Sequence, residues 1–286
     1  MISLVNGKFT DKLSIFDRGL AYGDGFFETM RWKLSFDKEM LLVEFWNRHI
    51  ERLRKGCEQI KINFPEKKIL DKYKSKLIKK VREIKMQSGV LKVIITRGSG
   101  GRGYKYENGM VPNIIFIITT LPNLDKTLYQ KGVKIKICKS KISRNPDLAG
   151  LKHLNRLDSV MARSEWNDNE IFEGLILDDN ENVLEGTMSN IFSLKSGVLR
   201  TPIIKESGIR GVMRDIIIDK FSSEFNVIHE TILNLDELMC SDSIFITNSI
   251  IKVLPVSLIE KKRFDVNEKV KILTKKLSKD IFLELN

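Results

Sequence analysis

The chain is poor in residues that staple or ligate. Its 286 residues include three cysteines, Cys57, Cys138 and Cys240, far apart and without a CxxC pair. An odd, scattered set argues against a disulfide framework and for reduced thiols, hence a cytoplasmic protein. The three histidines, His49, His153 and His229, show no metal-ligand spacing, so no zinc centre is expected. The longest apolar run, IIFII at 114–118, has the length of a strand and falls far short of the roughly 20 residues a bilayer demands. No membrane association is expected. The opening MISLVNGKFTDK lacks the apolar stretch of a signal peptide. Zinc-finger, homeodomain and RRM signatures are missing too, which removes the usual reasons to expect nucleic acid.

What is present is a foldable, basic chain. Hydrophobic residues make up 42%, enough for packed cores, and the length suits two domains. Lysine and arginine outnumber acids by 49 to 37, a formal charge of +12. The densest basic stretch, 66–85, interleaves its lysines with Ile69, Leu70, Tyr73, Leu77 and Val81. That spacing predicts an amphipathic helix with a solvated lysine face. The charge alone would also suit a non-catalytic binding protein for an anionic partner, or an enzyme for an anionic small molecule.

Asn6-Gly7 between β-favouring residues predicts a hairpin. Strands are predicted at 89–96, 113–120, 132–138, 174–178, 190–194 and 243–247. Helices are predicted at roughly 43–60, 66–87, 152–168, 212–224 and 266–284. The segment 121–127, LPNLDKT, reads as a linker between an N-terminal domain (1–120) and a C-terminal domain (128–286). The fold class expected is α/β in the broad α+β sense.

Three stretches carry chemistry. In NPDLAGLKHLNRLDSVMARSEW, Lys152 falls at the start of the predicted helix, with Leu154, Leu157 and Met161 as its apolar stripe. A helix start is the unfavourable end for a cation, so a lysine there suits use as a neutral amine toward a carbonyl. In ENVLEGTMSNIF, Glu185 at a strand end beside small hydrogen-bonding residues is placed to hold a protonated ring nitrogen. In GIRGVMRDIIIDKF, the amides of Val212 and Met213 open a helix after glycines, an arrangement that binds phosphate. A helix at 45–60 carries Arg48, Arg52 and Arg54, and the glycine loop at 97–104 offers Arg102 and Tyr104 to an anion. Singly, each stretch equally suits a surface lysine, an exposed turn or an ordinary helix start. Together, an amine, an acid for a pyridinium and a phosphate cup describe pyridoxal 5'-phosphate.

The stretches FDRGLAYGDGFFETMR (16–31), HIERL (49–53), GVLKVIITRGSGGRGY (89–104), RNPDLAGLKHLNRLDSVMARSEW (144–166), EGLILDDNENVLEGTMSNIF (173–192) and GIRGVMRD (208–215) resemble the fold-type IV pyridoxal-phosphate enzymes. Within that group they are most similar to the 4-amino-4-deoxychorismate lyases. RGSGGRGY and LKHLNRL are specific to those lyases. Phe27, where D-amino acid aminotransferases carry tyrosine, and HLNRL, where branched-chain enzymes carry Gly-Gly-Asn-Tyr, point the same way. The resemblance implies a smaller N-terminal α/β domain, a larger barrel-like C-terminal domain with the active site between them, and a homodimer. It implies that Lys152 bonds the cofactor and shuttles protons, that Glu185 pairs with the pyridine nitrogen, and that Arg52 holds the phosphate with the Val212 and Met213 amides. It implies a further phosphate contact at Ser249 and substrate contacts from Arg102 and Tyr104, whose loop reaches substrate in relatives across a dimer interface. The implied reaction releases pyruvate from 4-amino-4-deoxychorismate to give 4-aminobenzoate, a folate precursor, with Lys152 or Thr29 as the acid. The alternative on the same scaffold is a branched-chain or D-amino acid aminotransferase.

Overall fold

The computed structural model describes residues 1–278. The chain divides into two compact units. The first comprises Met1–Pro122 with Leu151–Asn155; the second comprises Asn123–Gly150 and the described residues from Arg156 onward.

The first unit contains strands β1 (Ile2–Val5), β2 (Lys8–Phe9), β3 (Gly25–Leu34), β4 (Leu41–Val43), β5 (Ser88–Thr96) and β6 (Asn113–Thr119). They form one sheet in the order β2-β1-β6-β5-β3-β4, antiparallel throughout. The Asn6-Gly7 hairpin is present, with both residues at positive φ (49° and 77°) and Val5 paired with Lys8, as a tight two-residue turn demands. Helices α1 (Arg18–Tyr22), α2 (Trp46–Gln59) and α3 (Lys67–Glu83) accompany the sheet. On α2, Trp46, Ile50, Leu53 and Cys57 are buried at helical spacing, and on α3 Leu70, Leu77 and Val81 are buried. They share one core with Phe26, Met30 and Trp32 of β3 and Leu91, Val93 and Ile95 of β5. The lysine-rich stretch at 66–85 is thus largely helical, with its leucines inward and Lys72, Lys76 and Lys79 in solvent.

The second unit contains β7 (Val133–Ile137), β8 (Ile171–Leu177), β9 (Val183–Gly186), β10 (Asn190–Lys195), β11 (Val198–Pro202), β12 (Val227–Thr231), β13 (Ser243–Asn248), β14 (Lys252–Ile259) and β15 (Lys262–Arg263). They pair in the order β12-β11-β10-β13-β14-β7-β8-β9, with β15 on β14. The pairs β11–β12, β14–β7 and β7–β8 are parallel, and the rest are antiparallel. Helices α4 (Leu128–Lys131), α5 (Leu157–Arg163), α6 (Val212–Lys220), α7 (Leu235–Met239) and α8 (Glu268–Ser278) complete it. The core strands β10 and β13 are buried along almost their whole length, as the continuous apolar runs NIFSL and SIFIT require. Helices and strands are therefore mixed in both units, the α+β class expected. Among the described residues no helix is long and apolar enough to cross a membrane. The C-terminal helix expected over 266–284 is α8 up to Ser278, and the remainder lies outside the described residues.

One expectation fails in an instructive place. The helix predicted over 152–168 begins only at Leu157 and ends at Arg163. Lys152 is not at its start, so a helix dipole does not explain this lysine. Leu157 and Met161, read as a core-facing stripe, are 75% and 60% exposed. The reason is a competing partner for the backbone. Strand β4 covers β3 only from Trp32 to Leu34, which leaves the Gly25–Phe27 edge open. Residues 152–154 take that edge. The Phe27 N–H donates to Lys152 O at 3.0 Å and the Leu154 N–H to Gly25 O at 2.9 Å, with His153 bridged to Phe26. An extended backbone whose hydrogen bonds are taken by a sheet edge cannot also be helical.

Candidate active site

In the first unit the edge pairing sets the backbone of Lys152, and its half-buried amine lies 4.6 Å from the centre of the Phe27 ring. β3 alternates, so Phe27 and Thr29 point away from the core shared with α2. Lys92 on β5 stands opposite Thr29, on the same side, with its amine 4.7 Å from the same ring. Burial lowers the Lys92 pKa. Lys152 and Lys92 therefore both stand against the Phe27 ring, with Thr29 paired to Lys92 on the neighbouring strand.

On the other side of β3, Glu28 occupies a core position among Phe26, Met30 and Trp32. A buried carboxylate is costly unless it is paired. It is paired three ways. Arg52 donates from Nε to Oε1 and from Nη2 to Oε2, both at 2.7 Å, and His49 Nδ1 lies 2.5 Å from Oε2. His49 and Arg52 stand one helical turn apart on α2, so a single helix face serves one acid. Burial alone would raise the Glu28 pKa, but the Arg52 charge and the hydrogen bonds from His49 and Arg52 outweigh it and hold it at about 2. For His49 burial dominates and pushes the pKa down, against the pull of Glu28 and with Arg52 and Lys152 adding to the effect. The ring is then neutral and donates its Nδ1–H to the carboxylate. Arg52, expected as a phosphate ligand, is thus held along one edge by Glu28.

In the second unit Glu185 is only 4% exposed, which removes the exposed-turn reading. Its Oε2 accepts the Ile209 N–H at 2.8 Å. Asn190 fastens the same loop: its Nδ2 donates to Ile209 O at 2.8 Å and its Oδ1 accepts the Gly211 N–H at 3.1 Å. The Gly150 N–H donates to Gly208 O and the Arg210 N–H to Gly150 O, so the loop is tied on both sides. Gly211 then begins α6 with no side chain capping it, and Val212 and Met213 form the first turn. An uncapped first turn of this kind suits an anion. Arg156, which carries the arginine of HLNRL, is lowered by burial and held up by the nearby Glu185 and Asp158 charges. Ser249 lies in the turn between β13 and β14. Asn248 fixes that turn by accepting from the Ile250 and Ile251 amides and donating to Met188 O.

Arg102 and Tyr104 are exposed on the glycine loop of the first unit. Lys152 and Thr29 share a unit with Arg52, while Glu185, Val212, Met213 and Ser249 belong to the second. The first unit thus offers a half-buried amine and an arginine, and the second a buried acid and an uncapped helix start, each a group of the kind a phosphorylated pyridine aldehyde needs.

The sequence reading missed Glu28, Lys92 and Glu173. Glu28 was legible as the one acid on the apolar side of an alternating strand, with His49 and Arg52 at i, i+3 as its counter-groups. Glu173 is fully buried, and burial raises its pKa although the Thr187 and Ser189 hydroxyls and the Gly174, Thr187 and Met188 amides donate to it. It anchors the turn between Glu185 and Asn190, and nothing in its local sequence marks it.

Comparison with known proteins places these features in a family. The chain is 30% identical over 274 residues to the aminodeoxychorismate lyase of Vibrio harveyi, a match spanning 96% of this chain and 97% of the relative. It is 32% identical over 278 residues to a provisionally named branched-chain-amino-acid aminotransferase of Methanocaldococcus jannaschii, over 96% and 92% of the two chains. The crystal structure of 4-amino-4-deoxychorismate lyase from Pseudomonas aeruginosa matches with a TM-score of 0.87 at 33% identity over 99% of both chains. The branched-chain amino acid aminotransferase of Escherichia coli shares the fold, with a TM-score of 0.80 at 22% identity over 96% and 92% of the two chains. Residues 25–259 match the family described as amino-transferase class IV, and the chain belongs to that family.

Proposed function

We propose that this chain is a pyridoxal 5'-phosphate-dependent 4-amino-4-deoxychorismate lyase, releasing pyruvate to give 4-aminobenzoate for folate synthesis. The observation that carries the proposal is the Lys152 amine, set by a sheet edge over the Phe27 ring with Thr29 and Lys92 on the same side. The likeness to the Pseudomonas aeruginosa lyase supports this substrate over an amino acid. The aminotransferase reading stays open through the Methanocaldococcus jannaschii relative.

The cofactor, when bound, supplies an electron sink for the pair left behind by a departing proton. The protein supplies the rest. Lys152 Nζ would hold the aldehyde, and as a free amine it takes the proton from the substrate ring carbon next to the amino group. Lys152 as an ammonium, or the Thr29 hydroxyl, delivers a proton to the enolpyruvyl methylene as pyruvate leaves. Glu185 would hold the proton on the pyridine nitrogen. Arg52, oriented by Glu28, would hold the phosphate, as would the Val212 and Met213 amides and Ser249. Arg102 and Tyr104 receive the substrate carboxylates. The product is aromatic, so the step runs downhill and the side chains mainly position and move protons. We further propose a cytoplasmic homodimer. Leu157, Val160 and Met161 on α5 are exposed apolar residues of the kind a partner subunit covers.

The test compares pyruvate release from 4-amino-4-deoxychorismate with amino-group transfer from branched-chain and D-amino acids to 2-oxoglutarate. Faster pyruvate release is expected, and faster transfer assigns the chain to the aminotransferases. Lys152→Ala should lose turnover and the visible absorbance of bound cofactor together. A yellow, active variant would remove the lysine from the chemistry.

A further inference from the structure

The motif FDRGLAYGDG carries part of the family likeness, yet none of its side chains has a role in the chemistry above. Its arginine is the most connected of them. Arg18, the first residue of α1, is 4% exposed. Its Nε donates to Asp24 Oδ2 at 2.9 Å. Its Nη1 donates to Gly103 O at 2.8 Å and its Nη2 to Tyr104 O at 3.0 Å. The guanidinium lies 4.7 Å from the centre of the Tyr22 ring. The Tyr22 hydroxyl accepts the Gly103 N–H at 3.1 Å, and the Tyr22 and Tyr104 rings meet edge to face at 5.5 Å. Four of these contacts, the two to the Gly103 and Tyr104 carbonyls, the one from the Gly103 N–H and the one to the Tyr104 ring, fall on the two residues that follow Arg102.

The root of the same loop is fixed by the same acid. Arg97 donates from Nε to Asp24 Oδ2 at 2.7 Å and from Nη2 to Asp24 Oδ1 at 3.0 Å, and its guanidinium stacks 3.8 Å from the centre of the Tyr106 ring. The Arg18 N–H donates to Gly98 O and the Gly100 N–H to Phe16 O. The stretch RGSGGRGY places four glycines in eight residues, Gly98, Gly100, Gly101 and Gly103. Such a loop has more freedom to lose than any other composition. A flexible arm would make each substrate carboxylate bear the cost of ordering it. Here a planar fork of donors, which lysine cannot reproduce, orders it beforehand.

We propose that Arg18 is the positioning residue of the substrate loop: its fork, backed by Asp24 and seated on Tyr22, fixes the two carbonyls after Arg102 and so presets where the Arg102 guanidinium meets a carboxylate. The inference rests on the reading of Arg102 as a substrate contact. It adds that α1, which carries none of the residues assigned to substrate or cofactor, sets the affinity for an anionic substrate.

The experiment uses the full-length holoenzyme and 4-amino-4-deoxychorismate, with Arg18→Lys, Tyr22→Phe, Arg102→Ala and the Arg18→Lys/Arg102→Ala double variant. Arg102→Ala should raise KM by about tenfold or more, and Arg18→Lys by about fivefold with kcat changed less than about twofold. The cofactor absorbance should be unaltered. The double variant should match Arg102→Ala alone, because the clamp acts through Arg102. Hydrogen exchange of amides 98–104 should quicken in Arg18→Lys and Tyr22→Phe, while β3 and β5 keep their protection. Tyr22→Phe deletes only the hydroxyl and gives a readout if Arg18→Lys folds poorly. Additive KM effects, or unchanged exchange in both clamp variants, overturn the proposal. If Arg102→Ala leaves KM untouched while Arg18→Lys still loosens the loop, the substrate reading of Arg102 fails and the affinity claim falls with it.

Discussion

Glu28 sits where the alternation of β3 calls for an apolar side chain, and its ionisation is tied to the stability of the fold. Its pKa is held at about 2 against an ordinary value of 4.5, so the unfolded chain binds its proton more readily than the folded one. The stabilisation is therefore complete above about pH 4.5 and is lost as pH falls toward about 2. His49, lowered by burial from 6.5, adds a loss of the same sign that begins as pH falls below 6.5. Glu28→Gln leaves the Arg52 guanidinium without its counter-charge and should cost on the order of 3–5 kcal/mol at pH 7. The gap between wild type and variant, measured by urea unfolding, should narrow steadily below about pH 4.5. A gap of constant size from pH 7 to pH 3 would mean that the variant loses shape rather than charge. Lys152 shows the limit of reading single residues. The proposal of Lys152 as the amine rests on its company in the sequence, Glu185 and the Gly-rich helix start. Its setting was not, because a sheet edge left open more than a hundred residues earlier decided its backbone.

At the scale of elements, local patterns served well where burial is one-sided and poorly where backbone partners are distant. The hairpin at Asn6-Gly7 and the helix α3 follow from turn chemistry and a 3.6-residue period. The short helix α1, the edge pairing of 152–154 and the late start of α5 depend on partners far along the chain, which no window of sequence contains. The start of α6 combines both kinds. Gly211 has φ −68° and ψ 138°, a conformation any residue adopts, so its lack of a side chain is not a matter of backbone freedom. A Cβ there would lie 2.1 Å from Asn190 Oδ1. Asn190 binds the Ile209 carbonyl and the Gly211 amide, so a displaced Asn190 loosens the loop that supports Glu185 and the first turn of the helix together. Gly211→Ala should weaken binding of pyridoxal 5'-phosphate to the apoprotein by on the order of tenfold. The apoprotein should keep its unfolding midpoint within a few degrees. Titration by fluorescence quenching measures the affinity, and an unchanged dissociation constant would take the α6 start out of the phosphate site.

At the scale of the whole molecule, the charge of +12 has no counterpart in a nucleic-acid motif, and its lysines are spread over solvated faces such as that of α3. Dispersed charge still produces a field, and a substrate with two carboxylates is drawn by it. Salt screens such attraction over about 10 Å at 0.1 M, so the approach of the substrate should weaken with ionic strength while the chemical step should not. Between 20 and 300 mM KCl, kcat/KM for 4-amino-4-deoxychorismate is expected to fall by roughly threefold, with kcat nearly constant. Lys72 and Lys79 lie exposed on α3 and are not among the residues assigned to catalysis. Replacing both with glutamine removes two charges, taking +12 to +10. If net charge steers the substrate, that double variant shows a shallower salt slope and a slightly lower kcat/KM at 20 mM. An unchanged slope would confine the attraction to the side chains around Arg102 and leave the remaining lysines to keep the protein in solution.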